Sequence, residues 1–136
     1  MTLRKKIAIA LATALFLAGI LFAGYRFLEV KFVEVHQRSV TRSIAEWGDE
    51  YSQIQTEKDA VRAVEMMEYI SRYYVPGEGY RSTHQVEEGL QSRRARTMKQ
   101  IGAALEAFTG ERNGTNVAEW ITWKNKTQAA MERKAR

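Results

Sequence analysis

The feature that most constrains this chain is a charge-free apolar run from Ile7 to Tyr25. As an α-helix its 19 residues are about 28 Å long, close to the hydrocarbon core of a bilayer at about 30 Å. We therefore predict a transmembrane helix over residues 7–27. The large side chains expected to anchor it in lipid are Ile7, Leu11, Leu15, Phe16, Leu17, Ile20, Leu21 and Phe22.

A cleavable secretory signal is the alternative interpretation of the same run, because basic residues precede it. Signal peptidase needs small residues one and three positions before the cut. Cleavage after Ala18, Ala23 or Gly24 would place a leucine or phenylalanine at the third position. The run also exceeds the usual apolar length of about 7 to 15 residues. These two observations favour an uncleaved anchor.

The charges that flank the run predict its orientation. Basic segments next to a span stay on the cytoplasmic side, and three cations precede this one: Arg4, Lys5 and Lys6. Beyond it, basic and acidic residues alternate. We predict residues 1–6 as a cytoplasmic tail, a location in the cytoplasmic (inner) membrane, and a periplasmic or other exoplasmic domain. Three residues suited to the interface between membrane and water lie at the end of the span: Tyr25, Arg26 and Phe27.

Net charge lies mainly at the two ends of the chain. The formal charge is +5, yet the part between the two basic ends carries 14 cations and 15 anions. We therefore expect no nucleic-acid partner. One basic cluster lies inside, at Arg93, Arg94, Arg96 and Lys99. We interpret it as a solvated helix face balanced by Glu87 and Glu88; an anion or lipid-headgroup site is the alternative.

Composition favours one small all-α domain. The chain has no cysteine, a single proline and nine glycines, so packing alone stabilises it, and the remaining residues are mostly good helix formers. We predict three to four helices in an exoplasmic domain over residues 28–124. A basic tail is expected at 125–136.

Residues 28–35 alternate as a strand would, but no second strand exists to pair with them, so a helix or an extended stalk is expected. An apolar stripe at helical spacing then follows, and Gly48 interrupts it. We expect it to pack within its own domain; a homodimer through residues 33–54 is the alternative. The stripe consists of Val33, Val40, Ile44, Trp47, Tyr51 and Ile54.

Two further helices have recognisable ends. Thr56 and Asp59 can cap a helix that runs to about Tyr74 and stops at Pro76, Gly77 and Gly79. Ser82 and Gln85 form a capping-box pattern for a helix to Phe108, and a break at Ser92 is the alternative to one continuous helix. The expected inward residues are Ala60, Val64, Met67, Ile70 and Tyr74 in the first, and Val86, Leu90, Met98, Ile101, Leu105 and Phe108 in the second.

The segment from Thr109 to Trp123 predicts a closing element. Gly110 can end the preceding helix, Gly114 allows a bend, and Asn116 with Glu119 can cap a short helix. Trp120 and Trp123 on that helix face the same side. The predicted core and closing residues of the head are Trp47, Tyr51, Met67, Leu105, Phe108, Gly110, Gly114, Trp120 and Trp123.

With its T-G-x-x-x-G pattern followed by W-x-x-W, the segment from Leu105 to Trp123 resembles the closing segment of HEAT-like α-helical repeat modules of some bacterial proteins. The resemblance covers about the last 40 residues of the domain. It implies a protein-binding scaffold and no chemistry.

The sequence contains none of the usual catalytic or metal-binding patterns. We expect both histidines, His36 and His84, to be solvated, because their nearest carboxylates, Glu34 and Glu88, are common surface residues. No nucleophile elbow, phosphate-binding loop or haem-attachment motif occurs. We therefore expect no enzyme activity, no cofactor and no metal.

Two functional classes remain. The first is an accessory or structural subunit that stabilises a larger membrane complex, such as a respiratory or photosynthetic one, with the bilayer and other integral membrane subunits as partners. The second is a membrane-tethered adaptor or sensor whose head binds a soluble protein or a ligand. The six-residue cytoplasmic part is too short for an output domain, which favours the first.

Overall fold

The computed structural model describes residues 2–75, 77 and 80–135. Within this part the chain is all-helical, without strands, as predicted. The helices are α1 (Leu3–Tyr51), α2 (Glu57–Arg72), α3 (His84–Thr109) and α4 (Val117–Lys134). The predicted stop of the second helix falls partly on Pro76 and Gly79, which lie outside the described residues.

Helix α1 joins the apolar run to the head without a break. Its 49 residues make a rod about 73 Å long, and residues 28–35 are helical within it. Among the described helices, α1 is the one long and apolar enough to be a candidate membrane span. The type of membrane and the orientation remain predictions.

The outer half of α1 packs mainly against α3. Val33, Val40 and Ile44 are buried, as the stripe predicted, and the Thr97 hydroxyl donates a hydrogen bond to the Ile44 carbonyl oxygen at 3.1 Å. Gly48, which we expected to interrupt the stripe, is buried where a Cβ would lie 3.2 Å from Thr97 Oγ1. This glycine therefore permits the close approach of α3.

Helix α2 begins as predicted and ends earlier. The Thr56 hydroxyl accepts a hydrogen bond from the Asp59 amide at 3.2 Å, and the Asp59 carboxylate accepts one from the Thr56 amide at 3.0 Å. The helix ends at Arg72, and Tyr74, expected inside it, has a left-handed φ of 57°.

Helix α3 is continuous, so the alternative break at Ser92 is excluded. Its predicted capping box is wrong: Thr83 occupies the N-cap position, without a side-chain capping bond. The Ser82 hydroxyl instead donates to the Gln37 side-chain oxygen on α1. Gly110 ends the helix with φ of 80°, as expected.

Helix α4 is longer than the predicted closing helix. Asn116 caps it by accepting a hydrogen bond from the Glu119 amide at 3.4 Å, and it continues to Lys134. Most of the segment predicted as a basic tail, residues 125–136, is therefore helical. Helical hydrogen bonding continues there because no glycine or proline interrupts residues 117–134.

Candidate functional site

The apolar run forms a helix whose side chains are all exposed. Every predicted anchor residue is exposed, from 51% of the residue surface at Ile7 to 74% at Leu15 and Leu21. The Thr13 hydroxyl donates to the Ile9 carbonyl oxygen at 2.9 Å, so this polar side chain is satisfied within the helix. A contiguous exposed apolar surface of this size is typical of contact with lipid or with another protein.

Ion pairs begin where the apolar run ends. Arg26 lies 2.7 Å from Glu29, and Lys31 lies 2.8 Å from Glu34, each pair one helical turn apart. Hydrogen bonds from Lys31 and then from Arg38 hold the pKa of Glu34 below its ordinary value. Tyr25 and Phe27 project their rings outward at this level, where interfacial residues were predicted.

The side chain of Gln37 on α1 forms hydrogen bonds with the segment that precedes α3. It is fully buried, its side-chain nitrogen donates to the Tyr80 carbonyl oxygen at 3.0 Å, and its oxygen accepts from the Ser82 hydroxyl. This role of Gln37 was not predicted from the sequence. Its position offered a signal, because Gln37 lies between Val33 and Val40 on the apolar stripe, where a polar residue needs a buried partner.

Aromatic side chains gather where α1 meets the end of α2. The Trp47 and Tyr69 rings lie edge to face with centroids 5.7 Å apart, and the Tyr69 and Tyr73 centroids are 4.7 Å apart. A hydrogen bond to Tyr74 raises the pKa of Tyr69. Tyr73 is 55% and Val75 49% exposed, so one side of this cluster faces outward.

The two histidines lie apart from each other. His36 Nδ1 is 2.9 Å from the Tyr80 hydroxyl, and His84 Nδ1 is 3.5 Å from the Glu88 carboxylate. Within the part of the chain that the structure describes, no three metal-ligating side chains converge.

Arg94 departs from its predicted role as a solvated cation. Its Nη2 donates to the Ile70 carbonyl oxygen at 2.7 Å and to that of Ser71 at 3.3 Å. Burial lowers the pKa of this guanidinium. Arg94 thus satisfies carbonyl groups in the last turn of α2, where positive charge also favours the helix dipole. The interpretation of the cluster as a purely solvated face is therefore wrong at this residue.

Most of the predicted large core residues of the head are brought together, whereas Phe108 and the helix-ending Gly110 are exposed. Met67, Leu105 and Trp120 are fully buried, and Trp47, Tyr51 and Trp123 pack around the same core. Gly114 makes the predicted bend with φ of 52°. Phe108 was expected inside and is 38% exposed. The buried residues Thr97, Ile101 and Leu105 recur every four positions, so the line of buried positions continues at Thr109 and not at Phe108.

Comparison of the chain with protein-family models, with curated proteins and with solved structures finds no match in any of the three. The resemblance of Leu105 to Trp123 to HEAT-like modules gains no support from them and remains an expectation from the sequence.

Proposed function

We propose that this protein is a non-catalytic, single-pass accessory or structural subunit that stabilises a larger membrane protein complex through its span and its helical head. One observation carries the proposal: the single helix α1 contains both the apolar run and residues that are buried in the core of the head. A separate anchor on a flexible linker would leave the head free to rotate.

The continuity of α1 fixes the head relative to the span. Sharp kinks in helices arise mainly at proline or glycine, and neither occurs between Tyr25 and Trp47. The first buried residue of the head, Val33, lies about 12 Å beyond Tyr25 along the helix axis. Such a rigid arrangement suits docking on a neighbouring subunit at a constant height above the bilayer.

The location proposed for this subunit is the cytoplasmic membrane, with residues 1–6 in the cytoplasm and the head in the periplasm. The support is the basic flank at Arg4, Lys5 and Lys6, together with the alternating charges beyond the span.

The test is purification of the full-length chain from its native membrane in mild detergent, followed by mass spectrometry of co-purifying chains. We expect stoichiometric recovery with multi-span proteins. Recovery free of other membrane proteins, as a monomer or a homo-oligomer, would overturn the subunit role and leave the membrane anchor intact.

A tethered adaptor is the second candidate, and the outward side of the aromatic cluster favours it. Tyr73 and Val75 are exposed beside the partly exposed Tyr69, and tyrosine is enriched at the centres of protein interfaces. The double variant Tyr73→Ser, Val75→Ser should then release a soluble partner, whereas Arg112→Ser, an exposed change on the α3–α4 connection, should retain it.

A further inference from the structure

The outward face of α1 changes from apolar to polar partway along the helix. Leu28, Phe32 and Val35 are 67%, 75% and 68% exposed. Continuing along the same face at 100° per residue, the next positions are exposed and polar: Ser39, Arg42 and Glu46. The apolar half therefore extends beyond the predicted span without any cover from its own head.

Lipid is a poor cover for this face. From Ile7 to Val35 the helix is about 43 Å long, well beyond a hydrocarbon core of about 30 Å. Lipid that reached Val35 would also surround the two ion pairs Arg26–Glu29 and Lys31–Glu34, and burying charges is costly. A molecule that packs on this face must therefore contact its apolar side chains and leave the charged side chains beside them in water.

We propose that a second copy of this chain covers the face, forming a parallel two-helix coiled coil along α1. The inference rests on the membrane anchoring in the proposed function. The exposed apolar positions recur at alternating intervals of four and three residues, which is the heptad spacing of such a pair. They are Leu21, Tyr25, Leu28, Phe32 and Val35.

Anchoring in one membrane favours a second copy as the partner. Two copies inserted in the same orientation run parallel, and each residue lies at the height of its counterpart, so one face meets the same face in register. Inside the span the heptad positions Ala14 and Ala18 are small, which allows close approach of the two helices.

The charges beside the face do not oppose a parallel pair. On the helix, Lys31 and Arg38 lie on one flank of the apolar face, and Glu29 and His36 lie on the other. Two-fold symmetry sets each flank against the opposite flank of the partner, so no lysine or arginine faces another, and no carboxylate faces another, across the pair. Lys31, Arg38 and Glu29 each form an ion pair within their own chain. Arg42, at the heptad position that follows Ser39, would face its own copy, and this contact between like charges ends the pair.

The head does not obstruct this pair. The buried residues of α1 are centred about 150° around the helix from the centre of the face formed by Leu28, Phe32 and Val35. They are Val33, Gln37, Val40, Ile44 and Gly48. This also separates the proposed pair from a homodimer through the stripe in 33–54, whose side chains at Val33, Val40 and Ile44 are buried within the chain.

Disulfide crosslinking tests the pair directly, because the chain has no cysteine of its own. Single variants Leu28→Cys, Phe32→Cys and Val35→Cys lie on the face. Phe27→Cys is the matched control, because Phe27 is 62% exposed on another side of the helix at nearly the height of Leu28. Each variant is expressed with two different tags, and carbonate-washed membranes are oxidised with copper phenanthroline.

We expect several-fold more dimer carrying both tags at positions 28, 32 and 35 than at 27. Equal crosslinking at all four positions would indicate random collision and overturn the pair. Crosslinks only to a different chain, or none while the protein stays in the washed membrane, would overturn it and leave the anchor standing. Release of the chain by carbonate would overturn both the anchor and the pair. The variant Phe32→Glu, placed in the Leu28→Cys background, should abolish the crosslink without lowering the melting temperature of the head.

Discussion

Gly102 on α3 faces the carbonyl oxygen of Gly114 so closely that a Cβ at position 102 would overlap it. The same oxygen accepts a hydrogen bond from Trp120 Nε1 at 2.9 Å. The backbone of the α3–α4 connection is thus packed between Gly102, which has no side chain, and the buried indole of Trp120. The three residues form one unit, and moving the connection would also displace the indole from the core.

The first prediction compares two glycines of α3. Gly102→Ala should destabilise the full-length protein by about 1 to 3 kcal/mol, the usual cost of overpacking. Gly89→Ala, where the added Cβ meets open space, should stabilise it by about 0.5 to 1 kcal/mol, because alanine is the better helix former. Urea unfolding in mild detergent, followed by far-UV circular dichroism, measures both. Equal effects of the two substitutions would contradict the close packing at Gly102.

The second prediction concerns Trp120, which is fully buried. Trp120→Ala should cost about 3 to 5 kcal/mol through the cavity it leaves. Trp120→Phe should cost less than Trp120→Ala, since an aromatic ring still fills part of the space, although the hydrogen bond to the Gly114 carbonyl oxygen is lost. Thermal melting of the full chain measures the order of the three proteins. A head that melts normally without the indole would show that Trp120 belongs to a binding surface.

The third prediction concerns Arg94 at the end of α2. Arg94→Leu leaves the carbonyl groups of Ile70 and Ser71 without their charged donor, and should lower the free energy of unfolding by about 1.5 to 3 kcal/mol. Arg96→Leu is the matched control, because Arg96 is exposed, and should change it by less than about 0.5 kcal/mol. A similar loss from both variants would point to general charge effects.

The fourth prediction concerns pH and the capping box of α2. Hydrogen bonds from the Thr56 side chain, and then from the Gln55 and Thr56 amides, hold the pKa of Asp59 below its ordinary value. The ionised carboxylate therefore stabilises the fold fully above the unfolded pKa of about 3.9, and this contribution is lost as pH falls through the lower folded pKa.

Melting temperatures between about pH 5 and about pH 2 should accordingly fall more steeply for the wild type than for Asp59→Asn. Thr56→Val, which removes the donor hydroxyl, should also reduce the slope. Parallel pH profiles for the wild type and Asp59→Asn would refute the role of this carboxylate.

The fifth prediction tests the span. Leu15→Arg places a charge at the middle of the apolar run and should disfavour insertion by about 2.5 to 3.5 kcal/mol. Leu15→Phe, of comparable apolarity, should insert normally. Carbonate extraction of membranes expressing each variant measures the difference. If Leu15→Arg resists extraction as well as the wild type does, the anchor interpretation fails.

Local patterns predicted the elements whose ends depend on neighbouring residues. Thr56 with Asp59, Gly110 and Asn116 each act within a few residues of themselves, and each lies at its predicted position. The helical class followed for the same reason, because propensity and the scarcity of proline and glycine act locally. The candidate span followed from length and composition.

The predictions were wrong for residues whose contacts lie far away in the sequence. Ser82 has the local signature of a helix cap, yet its hydroxyl is taken by Gln37, 45 positions away. Arg94 looked like one of several surface cations, and only the docking of α3 beside the end of α2 shows its contact with Ile70. A buried polar group takes whichever partner the fold brings near, so its role cannot be read from its neighbours in sequence.

The sequence by itself determined that this chain is helical, that an apolar helix begins it, and where most of its local caps lie, because these depend on short-range propensity and hydropathy. The tertiary structure decided that the apolar helix and the first head helix are one rod, and that Gly48 and Gly102 are points of close contact. It also decided which face of α1 its own head covers and which it leaves exposed. Those outcomes depend on side chains far apart in the chain meeting in space, and the packing of α3 on α1 brings them together.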